Sequence, residues 1–131
     1  MRRKQDKALL TEVELEFMNV VWALGEGTVR EILAELNKAH ERAYTSVATV
    51  LKIMEQKGFL TSQKKDRSLV YIPAVPKADY QKTTLKNLSS KLFNGTPAAL
   101  VARLVDDEDV TDDMLAEMRA LLDERLGDHD R

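Results

Sequence analysis

A chain of 131 residues with 44% hydrophobic and 32% charged side chains suits one folded domain, or a small domain with an appendage. It has no cysteine, which excludes a disulfide framework and a thiolate metal site, and no apolar run approaches the roughly 18 residues of a membrane span. The net charge of −2 hides an asymmetry: residues 1–75 carry twelve Lys/Arg against ten Asp/Glu, and residues 76–131 carry eight against twelve.

A polyanion-binding half joined to an acidic half is one reading of that split; two ordinary solvated surfaces are the other. The stretch MRRKQDKALL is basic but has no apolar signal core or small-residue cleavage site. Export is therefore not expected, and a cytoplasmic location is favoured.

Thr11 to Glu14 has the form T-x-x-E, a capping box that predicts a helix start. Val13, Phe17, Val20, Val21 and Leu24 form one apolar stripe of this helix, and Leu15, Met18 and Trp22 form another. A helix apolar on opposite sides is expected to be covered on both. Gly25 and Gly27 are read as its stop. Thr28 and Glu31 repeat the box and open a second helix, to about Ala39, with Val29, Ile32, Leu33 and Leu36 inward. Residues 37–43 form a polar connection.

The stretch RAYTSVATVLKIMEQKG, residues 42–58, is rich in β-branched residues, but its spacing is helical. Val47, Val50, Leu51 and Met54 fall at i, i+3, i+4 and i+7. Thr45, Ala48, Thr49, Lys52 and Gln56 fall on the opposite face. Strict alternation fails at Val50-Leu51 and Ile53-Met54, and Gly58 supplies a stop. The spacing predicts a third helix, with periodicity overriding weak propensity. Two strand-like runs follow, FLTSQ and LVYIP, joined by KKDRS. They predict a hairpin with Asp66 at a left-handed turn position and Lys64, Lys65 and Arg67 at the tip. A two-stranded hairpin must lean on the helices.

Three helices and a hairpin in this order predict a winged helix-turn-helix at residues 1–75. In such a unit the third helix enters the major groove and the hairpin reaches the neighbouring backbone. Thr45, Ser46, Thr49 and Lys52 are the candidate base contacts, with Ser46 at the edge of the face. Small hydroxyl side chains allow close approach, and a threonine methyl can touch a thymine methyl. Lys64, Lys65 and Arg67 are the candidate backbone contacts, and Arg2, Arg3 and Lys4 a candidate basic arm. The plainer reading is a face polar for solubility alone, and winged helices also serve as protein–protein modules.

Pro73 and Pro76 bracket a linker. Beyond it, residues 76–131 predict three helices. The first covers residues 77–93 and carries Leu85, Leu88 and Leu92. The second starts at Thr96-Pro97 and carries Leu100, Val101, Leu104 and Val105. The last is capped by Thr111 and carries Met114, Leu115, Met118, Leu121, Leu122 and Leu126. About 50 helical residues seldom hold a core of their own. A homodimer is therefore expected, joined through Leu85, Leu88, Leu92, Leu100, Leu104, Met118, Leu121 and Leu122. Its target would be double-stranded DNA with an inverted repeat. A monomer with these helices folded back is the alternative. The fold class is mainly α with a small β-hairpin.

Catalysis is not expected. His40 and His129 have no spaced partners, no phosphate loop is present, and residues 106–113 lack the calcium-loop pattern. No metal or other cofactor is expected.

The segments LTEVELEFMNVVW, TVREILAELN, AYTSVATVLKIMEQKGFL and DRSLVYIP, continuing through KNLSSKLFNGTPAALVARL to LLDE, resemble the penicillinase-repressor family, of BlaI/MecI/CopY type. Met18, Trp22 and the tyrosine–hydroxyl–hydroxyl–valine start of the third helix are its more specific parts. The resemblance implies a winged N-terminal domain, a helical dimerisation tail and repression from palindromic operators. It implies target genes for β-lactamase, penicillin-binding protein or copper transport. The chain departs from the family pattern in three places. Ile53 stands where members often carry arginine. Arg103-Leu104 stands at the Asn-Phe bond cleaved in sensor-controlled members. The cysteine-rich end of the copper-responsive branch is missing. The inducing signal, and any upstream sensor or protease, stays open.

Overall fold

Each of the first two helices begins where its T-x-x-E box predicts. The computed structural model describes the backbone of residues 9–130 and the side chains of residues 9–127. Arg2, Arg3, Lys4 and the His129 side chain lie outside the described residues. In α1 (Glu12–Leu24) the Glu14 amide donates to Thr11 Oγ1 at 3.1 Å, and the Thr11 amide donates to Glu14 Oε1 at 3.0 Å. Thr28 and Glu31 repeat this arrangement at α2 (Val29–Leu36), with bonds of 3.1 and 2.9 Å. Each box satisfies two amide groups that a helix start leaves orphaned. The second helix stops short of Ala39, because the chain leaves it at Asn37 through tight turns.

Along α1 the buried residues are Glu14, Phe17, Met18 and Val21. They follow i, i+3, i+4, i+7 and make one inward face. This corrects the expectation of two covered stripes: Val13, Leu15 and Leu24 are exposed, and Trp22 is half-buried. Trp22 is anchored by its indole N–H, which donates to the Val75 carbonyl at 2.9 Å.

The third helix, α3 (Tyr44–Gln56), buries Val47, Leu51 and Met54 completely, while Val50 is half-buried. Gly58, at φ 92°, turns the chain out of it. The hairpin forms from β2 (Leu60–Lys65) and β3 (Ser68–Pro73), antiparallel, with Lys65 opposite Ser68. Asp66 and Arg67 make its two-residue loop, with φ of 49° and 70°. Two positive φ values are what a tight hairpin turn of matching twist requires.

The sheet has a third strand that the sequence reading missed. β1 (Gly27–Thr28) pairs antiparallel with β3, giving the order β1-β3-β2. Gly27 is thus a buried strand residue. A Cβ there would lie 3.2 Å from Leu24 Cδ1, so a larger residue would require the Leu24 side chain to give by a few tenths of an ångström.

One core joins these elements, with Phe17, Met18, Ile32, Leu36, Leu51 and Leu60 at its centre. α4 (Lys77–Leu92) contributes to it through Tyr80. That ring stands 5.9 Å from Trp22 and 6.0 Å from Phe59, and its hydroxyl accepts from the Leu10 amide at 2.8 Å. The first unit of the chain accordingly ends at Thr84, inside α4, and the second begins at Leu85.

The second unit holds the rest of α4, α5 (Pro97–Val105) and α6 (Asp112–Asp130). Thr111 caps α6, its Oγ1 accepting from the Met114 amide at 3.2 Å. Among its described residues no side chain is buried. Among the described residues, no helix is long and apolar enough to cross a membrane.

Glu14 is the buried polar side chain of the core, 6% exposed. Burial pushes its carboxyl pKa up. The Lys57 ammonium, 2.7 Å from Oε2, and the Thr11 cap pull it down further, so it rests below the ordinary carboxylate value. A depressed carboxylate stabilises the fold above its unfolded-state pKa and loses that contribution as pH falls through the folded-state value. Glu14→Gln keeps an acceptor for the Thr11 amide but loses the charge facing Lys57, and should therefore lower unfolding free energy by about 1–2 kcal/mol at neutral pH, the scale of a partly exposed hydrogen bond between charged groups. The gap to the wild type should narrow below about pH 4, near the reference carboxylate pKa. Urea unfolding of both proteins across that range measures it.

Candidate nucleic-acid interface

The outer face of α3 follows from its inner one. Val47, Leu51 and Met54 are held in the core, so the residues half a turn away must face solvent. Thr45, Ser46, Thr49 and Lys52 are all exposed there. Ile53, 40% exposed, lies on the same side of the helix. The Thr49 hydroxyl donates to the Thr45 carbonyl at 2.9 Å, which commits its proton to the helix and leaves its lone pairs and methyl available. No acidic residue stands among Thr45, Ser46, Thr49, Lys52 and Gln56.

Side-chain hydrogen bonds fix this helix at both ends. Arg42, just before α3, donates to Glu16 Oε2 at 2.7 Å and to the Leu36 carbonyl at 3.1 Å, and its guanidinium lies 5.7 Å from the Phe17 ring centre. The Asn37 side chain accepts from the Arg42 amide at 2.8 Å. One residue thus ties together α1, the end of α2 and the approach to α3. At the far end, Ser62 of β2 donates its hydroxyl to Glu55 Oε2 at 2.7 Å, binding the hairpin to α3. Tyr71 lies beneath. Burial pushes its phenol above the ordinary value, and the Glu55 carboxylate adds to the shift, so it stays protonated.

The three predicted cations of the hairpin are exposed, but they are not equivalent. Lys65 pairs with Glu26 Oε2 at 2.9 Å, and both side chains are 46% exposed. Lys64 and Arg67 have no ion pair among the described residues. Sequence reasoning gave no role to Arg30 and did not place it beside Tyr44. The Arg30 guanidinium sits 5.6 Å from the centre of the Tyr44 ring, and both line a cleft of about 200 Å³ with Thr28, Arg67 and Ser68. The signal was thin: Arg30 is a lone cation in an amphipathic helix, and only the fold brings it beside the hairpin.

In the second unit the predicted apolar residues are largely bare. Leu85, Leu88, Leu92, Leu104, Leu121 and Leu122 are 42–67% exposed, and Leu100 and Met118 are half-buried.

The sequence profile described as Penicillinase repressor matches residues 10–124. This chain belongs to the penicillinase repressor family. The methicillin resistance regulatory protein MecI of Staphylococcus aureus is 26% identical over 116 residues, covering 88% of this chain and 94% of that one. The penicillinase repressor of Bacillus licheniformis is 25% identical over 115 residues, covering 88% and 90%. The solution structure of the DNA-binding domain of the repressor BlaI superposes with a TM-score of 0.50 at 29% identity. It covers 61% of this chain and 94% of that domain. The family assignment and the winged-helix architecture predicted from the sequence both stand, and family members are repressors rather than enzymes.

Within the family fold, Arg42 is the residue that seats α3. Arg42→Ala removes bonds from a charged donor to two acceptors, each worth about 1.5–3 kcal/mol, offset where water reaches Glu16. The variant should unfold at lower denaturant. Its Val47 amide, which closes the first α3 turn on the Ala43 carbonyl, should exchange hydrogen faster. Amide exchange that stays at wild-type rates would remove Arg42 from this role.

Proposed function

We propose that this chain is a DNA-binding transcriptional repressor that acts as a homodimer on an inverted-repeat operator. One observation carries the proposal: the exposed, acid-free face of α3 stands beside a hairpin tip bearing Lys64 and Arg67, in a member of a repressor family. α3 enters the major groove, where Thr45, Thr49 and Lys52 meet base edges and neighbouring phosphates, with Ser46 at the margin. Lys64, Lys65 and Arg67 bind backbone phosphates. A cytoplasmic location follows from work on the chromosome of a bacterium. Bound dimer at a promoter excludes polymerase.

The bare leucines of the second unit support the dimer. Helices with no buried side chain cannot hold their place by packing alone. Leu85, Leu100 and neighbours also border an apolar groove of about 330 Å³. A second copy supplies the missing cover, through Leu85, Leu88, Leu92, Leu100, Leu104, Met118, Leu121 and Leu122. Two-fold pairing repeats each patch on both chains and sets the spacing of the half-sites.

Thr49→Ala should alter the ranking of operator variants by about 1–3 kcal/mol at one base position. Equal weakening on every sequence in a binding titration would disprove the base contact.

The Glu26 carboxylate partly offsets the charge that Lys65 offers a phosphate. Lys64→Ala is therefore expected to lower the salt slope of DNA binding by about one unit, and Lys65→Ala by less. Glu26→Gln should tighten binding. Equal slopes for the two lysine variants would show that the Glu26 pair has no effect.

Tyr80 belongs to the core of the first unit, so the tail is best removed after Thr84. A chain ending at Thr84 should sediment as a folded monomer that binds half-sites weakly. Persistence of the dimer would refute the tail's role.

A further inference from the structure

The cleft beside the hairpin brings two guanidinium-bearing residues from distant parts of the chain to one place. Arg30 lies in the first turn of α2 and Arg67 in the loop between β2 and β3. Both line the same cleft of about 200 Å³, with Tyr44 of α3 between the elements. Tyr44 is 46% exposed, and its ring holds the Arg30 guanidinium at 5.6 Å from its centre. A cation over an aromatic face is restrained but not neutralised. Neither arginine has an ion pair among the described residues. No carboxylate lines the cleft. Glu31, next to Arg30 in the chain, has Oε1 turned to the Thr28 amide at 2.9 Å as part of its cap. Like charges lining one cleft without a carboxylate favour an anion there. Guanidinium forks match the oxygens of a phosphate.

We infer that this cleft is a seat for one DNA backbone phosphodiester, bound by Arg30 and Arg67, with Tyr44 holding Arg30 in place. The inference rests on the DNA-binding reading and deepens it. Tyr44 starts α3, so a phosphate seated here fixes how far the N-terminal end of that helix enters the groove. Arg30 belongs to no base-reading face. Its contribution is the same on every sequence, and it sets register rather than specificity.

The test uses the full chain and a duplex selected from random sequence by the wild-type protein. Affinity is measured across a salt range, and on duplexes in which one phosphate at a time is replaced by a neutral methylphosphonate. Arg30→Ala should weaken binding to all sequences alike. Its slope of log affinity against log salt should fall by part of the roughly 0.9 expected for one phosphate, and by the full value when Arg67 is replaced as well. One methylphosphonate position that weakens the wild type should weaken Arg30→Ala less, and should leave a variant lacking both Arg30 and Arg67 unaffected. Arg30→Lys should keep the slope, Tyr44→Phe should behave as wild type, and Tyr44→Ala should lose part of the Arg30 effect. Thermal unfolding of each variant separates loss of contact from loss of fold. An unchanged slope together with an unchanged methylphosphonate profile in a folded Arg30→Ala protein overturns the inference while DNA binding stands. Binding of inorganic phosphate to the free protein that Arg30→Ala abolishes, with DNA affinity and salt slope unchanged, also overturns it, by giving the cleft to a small anion. A wild-type protein that selects and binds no duplex overturns both this inference and the reading beneath it.

Discussion

The burial of Val47, Leu51 and Met54 is the constraint on which the winged unit turns. Each is fully removed from solvent, and burying such side chains is worth about 1.5–3 kcal/mol apiece. The stretch that carries them is poor in helix-forming residues, and its N-cap Ala43 makes no side-chain bond. Local preference alone would not make it a helix. Packing against Phe17, Met18, Ile32 and Leu36 does, and the same packing fixes which residues look outward. The exposed threonines and Lys52 are a consequence of what lies beneath them.

Polar anchors then convert a packed helix into an oriented one. Arg42 pins its approach, Glu55 and Ser62 tie its far end to the hairpin, and Lys57 reaches back to the buried carboxylate of Glu14. Glu14 also closes the cap of α1. Thus one carboxylate links the start of the first helix to the end of the third. Burying it is tolerable only because each oxygen has a partner. These bonds add direction where apolar contacts, being non-directional, leave a helix free to slide or rotate.

The second unit obeys a different logic. Its helices start at good signals, Pro97 after Thr96 and the Thr111 cap, yet bury no described side chain. Local signals place helix ends; they do not supply a partner for an apolar stripe. The leucines in this part of the chain are spaced for packing, yet most of them stay exposed.

The sequence by itself determined the helix starts, through two reciprocal capping boxes, and the face of α3, through a spacing that a single slip would scramble. It also determined the hairpin and its cations. These are short-range features, written in residues three, four or seven apart. Tertiary structure alone decided the rest. The two-residue strand β1 has no period to read, and only the fold makes Gly27 one of its residues. Tyr80 joined a core across a proline-marked linker, because Trp22 and Phe59 left room for a ring. Arg30 met Tyr44 and Arg67, and Lys65 met Glu26, across stretches of chain that no local pattern connects. Contacts between residues far apart in sequence exist only once the core has folded, so their physical cause lies in the packing and not in the string.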